Sequence, residues 1–568
     1  MSGAQKRSII IIAIAVSLSI VILFYSAPLF KDQQYRVQQL FHAHDAAAPS
    51  KSSAPNSDLR PTEVPTTDVP AVDESDGKEV AEEEETAEEK PKDQDTSSNT
   101  LPSGDRTSRL HFLIPASKAN LHFCYNLLSA AATRWPIPTI LGWHGVGQFD
   151  AAVTHLAKIR AIDRYLQSLD PEDDDDLVVI IDGYDILMQL PPEIMIQRYF
   201  EVVERSDAAL AKRFGVSVEE ARSRGLRQTI FWGPDKVCWP MDDKAGRCWA
   251  VPHSTLPPDA FGPNTGKGVR DWNDPRWLNS GTAMGPINDM RTLINATLAE
   301  IEATYDPEYA HRESDQYYVS NVWARQEYYR SVQAANGKKP DGPSHRRIPE
   351  KLYDGQQTEF HVSIDYESAL FQTRTGYERF HGSHHFNSLT FSARVEKDMF
   401  ELGEDKVVPL DIPMPINVYA ALERILASIP DVVDEGTTAA EWIRTIKLGV
   451  NYVTKNIYPL WHCTGPKDLM ADAFSEMWWY HLAKPLLKAS TKAHQSKELI
   501  TKNAVDGRLW ASKNVYPKDM DDELGGAWVD YNGATFVEWN EICGTYSEAL
   551  FSGGEYSELM DDEAAARR

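Results

Sequence analysis

The sequence predicts an α/β fold with a mostly parallel central sheet, carried behind an N-terminal membrane anchor and a long acidic stem. Three observations predict it: an apolar run that stops on two carboxylates, an alternation of strand-like and helix-like segments before it, and a sharp change of composition near residue 108. Leu177-Val178-Val179-Ile180-Ile181 is five consecutive aliphatic residues, four of them β-branched, which favours a strand covered on both faces. Asp182-Gly183-Tyr184-Asp185 follows directly. Ligand sites in open α/β sheets lie beyond the carboxyl ends of such strands, so Asp182 and Asp185 are placed where a ligand reaches them. Paired hard oxygen donors suit Mn²⁺ or Mg²⁺, neither of which needs a full protein cage when substrate phosphates complete the shell. The plainer alternative is a polar turn in which Asp and Gly serve the backbone.

Each segment follows in chain order. Lys6 and Arg7 precede an apolar segment from Ile9 through Phe24 that tails off by Phe30. A spanning helix needs about 20 mostly apolar residues, and basic residues ahead of it favour a cytoplasmic N-terminus. Tyr25-Ser26-Ala27-Pro28 makes a poor cleavage site. The expectation is therefore a cytoplasmic tail over 1–8 and an uncleaved, single-pass type II anchor over 9–30, with the rest lumenal. Residues 31–108, rich in Ser, Pro, Thr, Asp and Glu and including Glu82-Glu83-Glu84-Glu85, read as a disordered stem, because such a composition buries too little apolar surface to offset the entropy of ordering. The sequon Asn295-Ala296-Thr297 is compatible with a lumenal head.

Beyond the stem the pattern is βαβαβ. Leu110–Ile114 reads as a strand, Leu121–Arg134 as a helix and Pro138–Trp143 as a strand. Leu156, Ile159, Ile162, Leu166 and Leu169 recur at helical spacing before the acidic turn Glu172–Asp176. A helix over Pro192–Glu204 and a strand over Gln228–Trp232 continue the alternation, the signature of a parallel sheet layered with helices. No internal repeat is present. The net charge of −26, from 84 acidic and 58 basic residues, argues against a nucleic-acid binder. Five cysteines are too few for a disulfide scaffold or zinc cluster; Cys238 and Cys248 are near enough in sequence to pair, and at least one thiol stays without an intrachain partner.

Four later clusters stand out: the aromatic, proline-rich Phe231–Pro240 with Cys238-Trp239-Pro240; Trp277–Gly285 with Leu278-Asn279-Ser280-Gly281; Glu313-Ser314-Asp315-Gln316 on a helix; and Trp461–Lys467. Taken singly, each reads as a turn or cap; small side chains at the second let backbone approach a ligand closely, and a helix starts after it near Ile287. In this order, with Leu177–Asp185, the clusters resemble the glycosyltransferase domain of the procollagen lysyl hydroxylases and the related collagen galactosyltransferases, which has a GT-A type fold. The resemblance spans roughly Leu110–Lys467 and includes counterparts of Asp315-Gln316 and Asp365–Gln372. His462-Cys463-Thr464-Gly465-Pro466-Lys467 departs from the family's His-Gly-Asn-Gly-Pro, with Cys463 and Thr464 in place of Gly and Asn.

The resemblance implies Asp182, Asp185 and His462 as ligands of Mn²⁺ (or Mg²⁺), with the diphosphate of a UDP-sugar completing the shell. It makes Tyr184 the uracil-stacking residue and Lys467 a phosphate partner. Asn279, Ser280, Asp315 and Gln316 become candidates for hydrogen bonds to donor sugar or acceptor hydroxyl. The expected protein is a metal-dependent hexosyltransferase with a glycosyltransferase domain over 109–470, a glycan or glycoprotein acceptor and a Golgi membrane location, the endoplasmic reticulum being second choice. Residues 471–568, including Trp478 and Trp479, read as a helical and loop extension, with no iron-dependent hydroxylase domain. Two rival readings are a non-catalytic, glycan-binding or scaffolding head of the same fold, and a metallohydrolase using His381, His384 and His385. The spacing His-Gly-Ser-His-His lacks the i, i+4 geometry of zinc proteases and reads better as a polar loop.

Overall fold

A computed structural model describes residues 106–148, 154–338, 346–396, 409–432 and 436–551. The expected anchor at 9–30 and the stem up to residue 105 lie outside the described residues. Among the described residues, no helix is long and apolar enough to cross a membrane. The strands in chain order are β1 (Arg106–Pro115), β2 (Thr139–Leu141), β3 (Leu177–Ile181), β4 (Ile186–Met188), β5 (Ile230–Asp235), β6 (Trp277–Pro286), β7 (Val362–Ile364) and β8 (Phe371–Thr373). They continue as β9 (His381–His385), β10 (Ser392–Glu396), β11 (Pro409–Pro413), β12 (Lys447–Asn451) and β13 (Leu460–His462). The last three are β14 (Arg508–Ser512), β15 (Gly526–Val529) and β16 (Thr535–Glu538). β1 begins three residues before the expected end of the stem.

The fold is mixed α/β with a mostly parallel central sheet, ordered β16-β15-β2-β1-β3-β6-β5-β7, with β14 paired to β1. β1 pairs in parallel with β2, β3 and β14, β15 with β2, and β5 with β7. β6 is inserted antiparallel to both β3 and β5. The five residues of β3 are all buried. Leu177, Val179 and Ile181 join one apolar core, and Val178 and Ile180 another that holds Trp232, Ile294 and Trp323, so the strand is covered on both faces. The helix Leu156–Gln167 buries Leu156, Ile159, Ile162 and Leu166 of the predicted stripe, whereas Leu169 lies past its end and is half-buried. The helix Pro192–Phe214 runs ten residues past its expected end and stops where Gly215 adopts φ 68°, a left-handed cap.

Three expectations are corrected. Trp277–Gly285, read as a turn of small residues, is a strand; its small side chains suit a position buried between two neighbours, and its register with β5 slips between Trp232 opposite Ala283 and Gly233 opposite Asn279. The region expected as a helical and loop extension, 471–568, is described to residue 551, and over that part it is more than helices and loops: β14 and β15 extend the central sheet, and Cys543 is disulfide-bonded to Cys124 in the first helix, Leu121–Ala132. Its strands are only four or five residues long, too short to show a period. His381–His385 is not a loop but β9, antiparallel to β12; His384 Nε2 meets Tyr452 Oη at 2.8 Å and His385 Nδ1 meets the Ile446 carbonyl at 3.2 Å. Trp478 and Trp479 are core residues, their indole N–H groups donating to the carbonyls of Gln189 and Met188, both at 2.8 Å. Cys238 and Cys248 are bonded, and Cys463 is a buried free thiol.

Candidate metal centre

Two sheets meet at the centre. β3 delivers Asp182 from the carboxyl edge of the main sheet, where the Asp182 N–H donates to the Gly281 carbonyl at 2.8 Å and Asn126 Nδ2 donates to the Asp182 carbonyl at 2.9 Å. Gly183 is required here, since a Cβ would lie 2.9 Å from the Pro115 carbonyl oxygen. The chain then turns into β4, whose antiparallel partner β13 places His462 opposite Ile186, and the Cys463 N–H donates to the Asp185 carbonyl at 2.8 Å. β8 flanks β13 on its other side, ordered by Asp365, whose carboxylate accepts from the N–H groups of Ala369, Leu370 and Phe371 at 2.7–3.0 Å.

Asp182, Asp185 and His462 each offer a ligand atom within 4.8 Å of one another. His462 Nε2 and Asp185 Oδ2 are 3.0 Å apart, and the Lys467 ammonium pairs with the same Asp185 oxygen. Burial acts to raise the Asp185 carboxyl, but His462 and Lys467 outweigh it and hold the group well below the usual carboxylate range. Asp182 is half exposed and open to a ligand, while Asp185 and His462 are buried. Gly281 forms the wall: a Cβ there would come within 2.2 Å of His462 Cε1 and 2.8 Å of Asp182 Oδ2. Two carboxylates and an imidazole, gathered where only a glycine leaves room, fit a divalent cation of the Mn²⁺ or Mg²⁺ class.

The remaining expected residues divide. Asn279 and Gln316 brace the β6 backbone: Asn279 Oδ1 accepts from Gly281 N–H at 3.0 Å and Gln316 Oε1 from Ser280 N–H at 3.2 Å. Gln316 Nε2 is buried without a partner among the described residues. Asp315 is tied up electrostatically, 2.9 Å from Lys158 Nζ and 3.8 Å from His155 Nδ1; burial raises its carboxyl, and the two cations overcome that and depress it. Ser280 is buried beside the centre, its carbonyl accepting from Lys158 Nζ at 2.9 Å. Tyr184 is half-buried at the rim, its hydroxyl donating to the Lys118 carbonyl at 3.0 Å. Thr464, in place of the family's Asn, uses its hydroxyl to accept from Thr375 N–H at 2.8 Å.

Two residues that sequence reasoning missed belong to the site. Lys158 is buried on the helix Leu156–Gln167 and its ammonium lies 2.6 Å from Asp182 Oδ1. Burial opposes its charge, yet Asp182 and Asp315 together raise its affinity for the proton. A lysine in a helix's first turn opposes the macrodipole, and that was the available signal. Asp235, at the end of β5, is buried with Asn279 Nδ2 3.4 Å from its carboxylate, and burial pushes it up to about 6.

A second trio, His111, Asp173 and Asp176, also has ligand atoms within 4.8 Å of one another. It lies at the opposite end of β3. Lys513 Nζ sits 2.8 Å from Asp173, Arg109 N–H donates to Asp176 at 2.8 Å and His111 Nδ1 meets Tyr165 Oη at 2.8 Å, so the protein's own groups already serve it. No protein-family model matches the chain, and no curated protein matches it.

Proposed function

We propose that the chain is a metal-dependent glycosyltransferase of GT-A type that moves a sugar from a nucleotide sugar, a UDP-sugar, to a glycan or glycoprotein acceptor in the secretory pathway, as a type II Golgi membrane protein. The observation that carries this reading is the convergence of Asp182, Asp185 and His462 on one point at the carboxyl edge of the sheet, against Gly281. These three residues would hold Mn²⁺ or Mg²⁺. Bound there, the cation supplies Lewis-acid stabilisation of the charge that develops on a departing diphosphate.

The chain's own groups then take defined parts. Lys467 reaches the centre from the loop after β13 and, released from Asp185, is positioned to pair with phosphate oxygens. Lys158 holds Asp182 and Asp315 in place and, with His155, depresses the Asp315 carboxyl. Gln316 braces Ser280 beside the centre through Oε1 and keeps a buried, unmet Nε2 donor, suited to a sugar hydroxyl. Asp235, bonded to Asn279, accepts a proton near pH 6 and is the group with acid–base character at this edge.

The test is UDP-sugar hydrolysis by the purified protein across a donor panel, with Mn²⁺ or chelator, alongside Asp185→Ala. Turnover of a UDP-sugar that requires both metal and Asp185 is expected. Absence of turnover together with absence of metal-dependent UDP binding overturns the reading. One observation favours a non-catalytic, glycan-binding head of the same fold: the Thr464 hydroxyl is spent on Thr375 rather than offered to a ligand. Metal-dependent UDP binding without any hydrolysis would favour that head.

A further inference from the structure

Beside the centre, the start of β6 opens into a groove of about 730 Å³ walled by the Cys238–Cys248 bridge and by Trp249, Trp277 and Tyr328. The two indole N–H groups are already used, Trp249 Nε1 on the Lys244 and Arg347 carbonyls and Trp277 Nε1 on that of Cys248, so both tryptophans are fixed in place. Guanidinium groups lie over them, Arg346 Cζ 5.3 Å from the Trp249 ring and Arg276 Cζ 5.5 Å from that of Trp277. Arg276 is anchored at one end by the Val251 carbonyl and His253, while its Nε is buried without a partner among the described residues; the Tyr328 hydroxyl is likewise buried and unmet. Arg346 lies over the Trp249 ring and is not among the ion-paired arginines of the described residues, its neighbour Arg347 being the one that pairs with Asp242. Burial, the largest influence, lowers the proton affinity of the Arg276 guanidinium; Asp274 partly opposes this and Arg346 adds like-charge repulsion. Arg213, which also lines the groove, is neutralised by Glu327 at 2.5 Å, and Asp243 is an exposed carboxylate on the rim.

In a chain of net charge −26, two arginines facing one cavity, neither of them ion-paired among the described residues, form a socket for an anion beside the exposed carboxylate of Asp243. Fixed aromatic faces beside it suit the apolar faces of sugar rings. Position links the groove to the centre. Trp277 is four residues before Gly281, at most about 13 Å of strand at roughly 3.3 Å per residue, and Trp277 is paired in the sheet with Asp235. That span matches two or three sugar units.

We propose that this groove is the acceptor subsite, and that the acceptor is an acidic glycan whose carboxylate or sulfate docks on Arg276 and Arg346 while its rings lie against Trp249 and Trp277. The assignment of an acceptor rests on the transferase reading above; binding of the acidic glycan does not.

Calorimetry on the full chain separates the two, with hyaluronan tetrasaccharide as the anionic probe, chitotetraose as the neutral one and hexaglutamate as an acidic peptide. The tetrasaccharide should bind at least about tenfold more tightly than chitotetraose, the scale of one charge-assisted hydrogen bond. Arg346→Ala should cost about tenfold, and Arg276→Lys, which keeps charge but loses the planar fork, should also weaken binding. Metal-dependent UDP binding should be unchanged in Arg346→Ala, which also reports that this variant is folded. Equal binding of the two oligosaccharides, stronger binding of hexaglutamate, or an Arg346→Ala variant with full affinity overturns the proposal. If UDP binds and the tetrasaccharide does not, the groove assignment falls alone. If the tetrasaccharide binds with the predicted arginine dependence but UDP does not bind, the transferase reading falls and the groove stands as a glycan site.

Discussion

At the residue scale, Gly281 is the tightest constraint. Its neighbours on one side are His462 and Asp182, and the strand register leaves the residue no freedom to withdraw. Gly281→Ala should abolish metal-dependent UDP binding while lowering stability by only about 1–3 kcal/mol, the usual cost of overpacking; UDP titration and a urea melt on the same variant check both. Asp235 gives a pH prediction. Its folded pKa, about 6, lies above the ordinary carboxyl value of 3.8. Protonation therefore favours the folded state, so this contribution is complete below about pH 4 and is lost as pH rises through about 6, an upper bound of about 3 kcal/mol. Asp235→Asn should melt at a higher temperature than the parent at pH 7.5, with the gap closing by pH 4.

Legibility at this scale followed chemistry that shows in one dimension. Asp182 and Asp185 were visible because an aliphatic run ended on them, whereas His462 was visible only through its surrounding motif. Lys158 was hidden within an amphipathic helix, where a lysine off the apolar stripe reads as solvated; its burial depends on Asp315, more than 150 residues later in the chain.

At the element scale, strands and helices with a continuous apolar pattern were readable, whereas strands without one, short or long, were not. β4, β8 and β13 are three residues each, below the length at which alternation can be told from a loop, yet together they carry His462 to Asp185. β6 was misread because a strand paired on both edges has reason to use small residues, and small residues also mark turns. β14 to β16 had no period to show. Their placement makes a prediction: ending the chain at residue 500 leaves β2 without β15 and β1 without β14, and the truncated protein should be recovered insoluble or as protease-sensitive material, measured by limited proteolysis beside the parent.

For the whole molecule, the Cys124–Cys543 bridge joins the first helix of the described region to its last elements across 419 residues. Removing it by a Cys124→Ala, Cys543→Ala double substitution should cost about 2–5 kcal/mol, read as a lower urea midpoint; the parent should show the same loss under reductant. Mn²⁺ with UDP should raise the melting temperature of the parent protein and leave that of Asp185→Ala unmoved, since ligands stabilise only the state that binds them.

The same bridge carries a schedule. Cys124 is made early and Cys543 late, and at about 5–20 residues per second the interval between them is about 20–85 s of synthesis. Through that time β2 waits for β15 with an open edge, so the central sheet stays unfinished, and that edge open to mispairing, until the residues near 529 have been made.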